Sequence, residues 1–386
     1  MYVKREIQVQ FRKLSPIYPI LAVVGPRQAG KTTFLKAEIK DKSANYLLFD
    51  DPDIRELFNE DIKKFERQYV EGKEIIALDE VQYGSDPGQK LKYLADTGNK
   101  LWITASSEIL LSKNVLSYLV GRVSILRLYP FSLREFLDYK NVKETTPHII
   151  ERESEEHALY GGYPKVVTTA DREIKQTILR DLFETMMLKD VARNFSIQDI
   201  AALEKFGQFL AINAGAQLSY ETIAQIIKIS YATIQKYLDA MEKSYFILRV
   251  KPFFTNKNKE LSKREKIYLM DTGLRNSVAR SFIFDGRVFE NYVATELLKL
   301  GFTPKYWMAK TKVEVDFIIE KDNETIPIEV KMTEEKIGRG MHSFIDEYEP
   351  KRAYVIIHKG KEKAMKKNGC TIHFIRIDKL KEELEK

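Results

Sequence analysis

Cysteine is almost missing from this 386-residue chain, with Cys370 its only example. A lone thiol forms no internal disulfide, and without clustered Cys or His it fits neither a zinc site nor a stapled secreted scaffold. A reducing cytoplasm is the expected setting. Histidine is scarce too, at five residues. His342, His358 and His373 have no partners at metal-ligand spacing and read as structural. No run approaches the roughly 18 uninterrupted apolar residues of a membrane span. The opening "MYVKREIQVQF" is charged and lacks the apolar centre of a signal peptide. The sequence therefore reads as soluble, with no membrane partner. Also lacking is an Asn-Lys-x-Asp tetrapeptide, the usual guanine-reading element, which leaves ATP as the expected nucleotide.

What is present is ample core material: 44% of residues are hydrophobic, including 21 Phe and 20 Tyr. The length exceeds what one core usually supports, so two or three domains are expected. A net charge of +7 is modest for this length. Its distribution says more, because residues 251–270, "KPFFTNKNKELSKREKIYLM", hold six Lys or Arg against two Glu.

Residues 19–24, "PILAVV", suit a buried parallel strand, and "GPRQAGKTTFLKAEI" follows. Gly25, Gly30, Lys31 and Thr32 meet the pattern G-x-x-x-x-G-K-T, with Thr33 next. The chemistry requires this order. Glycines let backbone N–H groups approach phosphates, the following helix adds its positive end, Lys31 reaches the outer phosphates and Thr32 holds Mg²⁺. A second strand, "EIIALDEVQ", ends in Asp79 and Glu80. Asp79 is placed to bind Mg²⁺ through water, and Glu80 to orient or deprotonate the attacking water. A third, "KLWITASS", ends in Ser106 and Ser107, where a hydroxyl could sense the terminal phosphate.

"GPRQAGKTT", "ALDEVQ", "ITASS", "LVGRVSILRLYPFSLREF" and "GGYPKVV" follow one another in the order of AAA-superfamily ATPases of archaea and bacteria that carry a C-terminal domain of unknown function, and the chain resembles that family over nearly its whole length. The resemblance implies that Arg122, after Gly121, is an arginine finger or sensor stabilising charge on the transferring phosphoryl group. An ordinary structural Arg is the competing reading. Action in trans would require a homo-oligomer.

Downstream, "DYKNVKETTPHII" reads as a linker and "GGYP" as a helix stop. "SYETIAQIIKIS" and "SYATIQKYLDAMEKS" predict two short helices capped by Ser219 and Ser230, the second burying Ile234, Leu238 and Met241. With the strand-like "YFILRV" and "KIYLMD" they predict a winged helix. Gln235, Lys236, Asp239 and Lys243 lie on its exposed side, and the basic stretch forms the wing. DNA, branched forms included, is the expected partner. Asp239 would repel phosphate.

"DGRVFENYVATELLKLGF" predicts a helix ending at Gly301, with Phe289, Tyr292, Val293 and Leu297 on its apolar stripe. Period-two alternation in "KVEVDFIIE" and "IPIEVKM" then brings Asp316, Glu329 and Lys331 onto the polar face of one hairpin. Two carboxylates for Mg²⁺ and a lysine two residues along are what metal-dependent phosphodiester hydrolysis needs. The arrangement resembles the PD-(D/E)xK nuclease fold, whose helix acid would be Glu290, with Glu296 the alternative. Fold does not fix activity, so the alternative stays open of an ATP-dependent regulatory or scaffold protein whose C-terminal domain binds a protein or nucleic acid without cleaving it.

The expectation is an α/β multidomain protein. Residues 1–140 would form a P-loop ATPase with a parallel sheet and helices on both faces. Residues 150–275 would form a helical region plus winged helix, and residues 280–386 a nuclease-like α/β domain. The expected cofactors are ATP and Mg²⁺.

Overall fold

The computed structural model describes residues 2–106, 115–143, 146–254, 264–333 and 336–386. Ser107 and residues 255–263 of the basic stretch lie outside the described residues. The chain groups into two compact units, and the division falls earlier than the sequence predicts. One comprises Met1–Phe131, Leu188–Ile197 and Lys243–Tyr245; the other comprises Ser132–Met187, Gln198–Glu242 and Phe246–Lys386.

In the first unit, β1 (Ile20–Val24), β2 (Ala44–Leu48), β3 (Ile75–Asp79), β4 (Leu101–Ala105) and β5 (Val123–Arg127) form a parallel sheet in the order β2-β3-β4-β1-β5. Every residue of β1, β3 and β4 is buried. That is why these strands read as unbroken apolar runs rather than alternating ones. On one face Leu21, Val23, Ala77 and Trp102 pack with Phe34 of α1 (Lys31–Ile39) and with Phe11. Phe11 meets Phe34 and Trp102 edge-on, at 5.1 and 4.7 Å. The order puts β4 between β1 and β3, so its C-terminal end separates the glycine loop from Asp79 and Glu80.

The second unit opens with α2 (Leu133–Tyr139), whose N-terminus carries a capping box between Ser132 and Glu135. Next, α3 (Pro147–Tyr160) stops at Gly161. Here φ is +76° and a Cβ would lie 2.0 Å from the Asp271 carboxylate, so only glycine fits. Asp271 accepts hydrogen bonds from Gly162 N and from Leu274 N in helix α4 (Thr272–Val278), while Asn276 donates to the carbonyls of Ala158 and Leu159. "GGYP" is thus the stop of one helix locked to the start of another.

Helices α5 (Ile200–Ile212), α6 (Tyr220–Ile227) and α7 (Tyr231–Lys243) precede an antiparallel pair, β6 (Ile247–Val250) and β7 (Lys266–Leu269), to which Gln217 adds a further bridge. Ser219 and Ser230 accept hydrogen bonds from Thr222 N and Thr233 N, and Ile234, Leu238 and Met241 are buried as expected. Asp239 is engaged by Arg249, which also pairs with Glu265. Its charge is therefore compensated within the fold.

The last part is a mixed sheet in the order β12-β13-β11-β10-β9-β8. Its strands are β8 (Lys305–Met308), β9 (Glu314–Lys321), β10 (Glu324–Lys331), β11 (Arg352–Ile357), β12 (Lys363–Lys367) and β13 (Cys370–Arg376). Helix α8 (Gly286–Lys299) packs on β10, and α9 (Arg339–Tyr348) buries Met341, Phe344 and Ile345 against Trp307, Val315, Ile318 and Val355. The outer strand β12, "KAMKK", is nearly all exposed. At the opposite edge the chain at Pro252 bridges to Tyr306 and covers β8.

Across the expected boundary between residues 275 and 280, Asn291 of α8, fully buried, donates to Leu269 O (2.8 Å) and accepts from Leu269 N (3.0 Å). Its amide acts as one more backbone unit along β7.

His358 is buried between the rings of Phe284 and Phe289, and neither ring nitrogen has a hydrogen bond. Glu155, 3.8 Å from Nε2, is the carboxylate beside it. Burial first, and Lys359 second, push its pKa down to about 4 from 6.5. A depressed imidazole pKa means that the unfolded chain takes up the proton first, so stability is lost as pH falls from about 6.5 towards 4. Between pH 7 and 4.5 the wild type should lose about 2 kcal/mol more stability than His358→Phe in urea melts. Equal losses would exclude His358 as the cause.

Candidate nucleotide site and a carboxylate cluster

The loop from Gly25 to Thr32 joins the end of β1 to α1. A Cβ on Gly25 would lie 2.1 Å from Leu128 O, so the close strand-to-loop approach excludes any side chain. Gly30 takes φ +100° and opens the helix. Lys31 Nζ donates to Gly25 O (2.9 Å) and Pro26 O (3.0 Å), and burial lowers its pKa against the pull of Glu80 and Asp79. Thr33 follows, exposed, in the first turn.

Asp79, at the end of β3, is 1% exposed and held by three hydroxyls. Thr32 Oγ1 (2.6 Å) and Tyr46 OH donate to one carboxylate oxygen, and Thr104 Oγ1 donates to the other. Thr32 and Asp79 thus present adjacent hard oxygen donors beside the loop, which fits the Mg²⁺ that accompanies a nucleotide. Glu80 has φ +56°, a conformation that persists in a non-glycine residue only when neighbours enforce it. They do: Glu80 Oε2 accepts from Ser106 Oγ (2.9 Å), Ser106 N (3.2 Å) and Gln82 Nε2. Ser106, expected as a phosphate sensor, donates to this acid through both its hydroxyl and its backbone N–H.

Arg122 sits where β5 begins and pairs with Asp96 at 2.7 Å. The parallel strands β1 and β5 place it at the end of the sheet opposite the loop, about 16 Å away along five residues. It does not reach its own chain's phosphate loop.

Sequence reasoning gave no role to Tyr46, nor to Thr104 and Gln82 although these two lie inside the stretches "ITASS" and "ALDEVQ". It also missed Arg27, inside the loop, whose bidentate partner is Asp190. Only the polar type of Tyr46 and Thr104 within otherwise apolar strands could have drawn attention to them.

In the second unit, Glu290 acts on Asp316, whereas Glu296 accepts from Leu133 N and pairs with Lys299. The antiparallel register of β9 and β10, with Phe317 opposite Ile328, puts Asp316 and Glu329 on one face. Asp316 Oδ2 accepts from Val330 N (2.7 Å). Burial, then Glu290, pushes its pKa up to about 7. Glu329 accepts from Gly338 N (3.1 Å) and pairs with Lys331 (3.0 Å).

Lys266 of β7 was not foreseen. Its side chain is 3% exposed, and Nζ stands 3.5 Å from Glu290 and 3.4 Å from Glu314. Burial alone would lower its pKa, but Glu290, Glu314 and Asp316 outweigh burial and raise it. Tyr268 OH also donates to Glu290 (2.5 Å). Among the described residues no three His, Cys, Asp or Glu side chains are grouped to hold a metal ion. As arranged, the carboxylates are satisfied by an internal ammonium, a phenol and backbone N–H groups.

Three family models match the chain: an AAA domain over residues 18–137, and two domains of unknown function over residues 151–282 and 285–380. An uncharacterized protein of Haemophilus influenzae is 31% identical over 234 residues, 59% of this chain and 58% of its own length. The chain therefore spans little more than half of that relative. An uncharacterized protein of Methanocaldococcus jannaschii is 28% identical over 344 residues, 84% of this chain and 76% of the relative. Among solved structures, a Walker-type ATPase of Pyrococcus abyssi is similar at 16% identity and TM-score 0.49, covering 72% of this chain and 96% of that one. Cdc6p of Pyrobaculum aerophilum is similar at 12% identity and TM-score 0.30, covering 73% and 96%. No described helix is long and apolar enough to cross a membrane. With the glycine loop, Asp79 and Glu80 placed as above, residues 18–137 form an AAA-type P-loop domain.

Proposed function

We propose that this chain is an ATP-hydrolysing switch that acts on DNA in the cytoplasm. The observation that carries the reading is the brace around Asp79 and Glu80, beside Lys31 and Thr32. Gly25, Gly30, Lys31, Thr32 and Thr33 would hold the triphosphate. Thr32 and Asp79 would hold its Mg²⁺, whose part is to neutralise charge on the phosphates. Glu80 would orient and deprotonate water. Arg122 would serve a neighbouring copy in a homo-oligomer, because its own loop is out of reach.

Helices α5 to α7 with β6 and β7 would serve as a winged helix. Gln235, Lys236 and Lys243 are exposed on α7. They would meet DNA, with phosphate attraction supplied by the basic stretch.

For the C-terminal unit, the contacts of Lys266 with Glu290 and Glu314 favour DNA engagement without cleavage. A metal-dependent nuclease built on Glu290, Asp316, Glu329 and Lys331 is the competing reading.

ATP turnover should rise with single-stranded, duplex or four-way-junction DNA. That stimulation should fall steeply between 50 and 200 mM salt and be absent in Lys31→Ala. Absence of both DNA binding and stimulation at low salt would overturn the DNA reading. Mg²⁺- or Mn²⁺-dependent cutting lost in Asp316→Ala would establish the nuclease instead.

A further inference from the structure

Arg27 occupies a variable position of the phosphate loop, between Gly25 and Gly30, yet it does not extend into solvent. Its guanidinium grips Asp190 in a bidentate pair, with Nη2 3.0 Å from Oδ1 and Nε 3.1 Å from Oδ2. Asp190 is 2% exposed and comes from a segment 163 residues downstream. That segment, Leu188–Ile197, belongs to the P-loop unit, whereas the helices on either side of it in sequence belong to the other unit. The same holds for Lys243–Tyr245, between α7 and β6. The buried Ser244 hydroxyl donates to Asp190 O (2.8 Å). One residue thereby ties the loop arginine to both points where the chain leaves for the helical region and returns.

A buried carboxylate beside a phosphate loop opposes an arriving polyanion and occupies the one planar, two-pronged donor in the loop. Arg binds carboxylate and phosphate by the same fork geometry, so one can exchange for the other. We propose that Arg27 senses the nucleotide: Asp190 and the phosphates compete for its guanidinium, and a triphosphate that takes it over releases the Leu188–Ile197 segment. The proposal rests on the nucleotide-binding reading of the loop. No covalent step is involved, and one anionic partner replaces another.

The test measures binding of fluorescent ATP and ADP analogues, together with hydrogen exchange of residues 188–197. The proteins compared are the full-length wild type, Asp190→Asn, Arg27→Gln, the double variant, and Lys31→Ala as the control for nucleotide binding. Asp190→Asn should bind ATP about 10-fold more tightly, within the usual range of coupled sites, with a smaller gain for ADP. In the Arg27→Gln background the same change should alter affinity less than about 2-fold. Exchange in the segment should rise on adding ATP to the wild type and be high without nucleotide in Asp190→Asn.

If Asp190→Asn does not fold, Arg27→Lys keeps the charge and loses the fork. It should weaken the preference for ATP over ADP and raise exchange in the segment; an unchanged preference would overturn the proposal. Equal ATP affinity of wild type and Asp190→Asn, or a gain that persists without Arg27, would also overturn it while leaving the nucleotide site intact. Failure of the wild type to bind ATP would overturn both readings.

Discussion

Glu80→Gln should lower ATP turnover by about 100- to 10,000-fold while leaving nucleotide affinity within a few-fold of wild type, the loss expected when a positioned general base is removed. Glutamine keeps the size of the side chain and an oxygen that still accepts from Ser106 Oγ and N. What it loses is the negative charge that, in the proposed role, would take a proton from water. The left-handed backbone at residue 80 and the three donors on Oε2 fix the side chain, so the variant has little freedom to relax. Phosphate release and equilibrium nucleotide binding, measured on the same preparation, separate the outcomes. Loss of binding along with turnover would make Glu80 a structural brace rather than a base.

Lys266→Met should destabilise the second unit by about 3–5 kcal/mol, because removing one member of a buried ion-pair group leaves the others uncompensated. Glu290 and Glu314 each lie within 3.5 Å of the ammonium, and Asp316 acts on it too. For a unit of this size the melting temperature should fall by about 10 °C. Adding Glu290→Gln to the Met variant should recover part of the loss, since one stranded charge disappears. Calorimetry at pH 7 decides it. A fall below about 1 kcal/mol would mean that the carboxylates do not depend on this counter-ion.

The phosphate loop was legible because its function demands local sequence: glycines for backbone approach, a lysine and a threonine at fixed spacing, and apolar strands on the correct side. Asp79 and Glu80 were legible for the same reason. Capped helices at Ser219 and Ser230 and the alternation around Asp316 also follow local rules. What could not be read were partners set by long-range packing. Asp190 reaches Arg27 across 163 residues, Tyr46 and Thr104 reach Asp79 only because β2 and β4 flank β3, and Lys266 reaches Glu290 only once β7 lies against α8. Helix α9 starts at Arg339. At Gly340 the backbone passes so close to Glu314 that a Cβ would stand 1.7 Å from its carbonyl oxygen, a constraint that helical periodicity does not announce.

The mixed sheet ends differently on its two sides. Chain from Lys251 to Phe253 hydrogen-bonds along Tyr306 and uses up that border, whereas β12 leaves its outer backbone groups to water. A second molecule could extend the sheet only there. Doing so would bring the ammonium groups of Lys363, Lys366 and Lys367 against their own kind. A row of lysines of this kind disfavours strand-to-strand joining of copies, a guard that high salt or lysine acetylation would weaken.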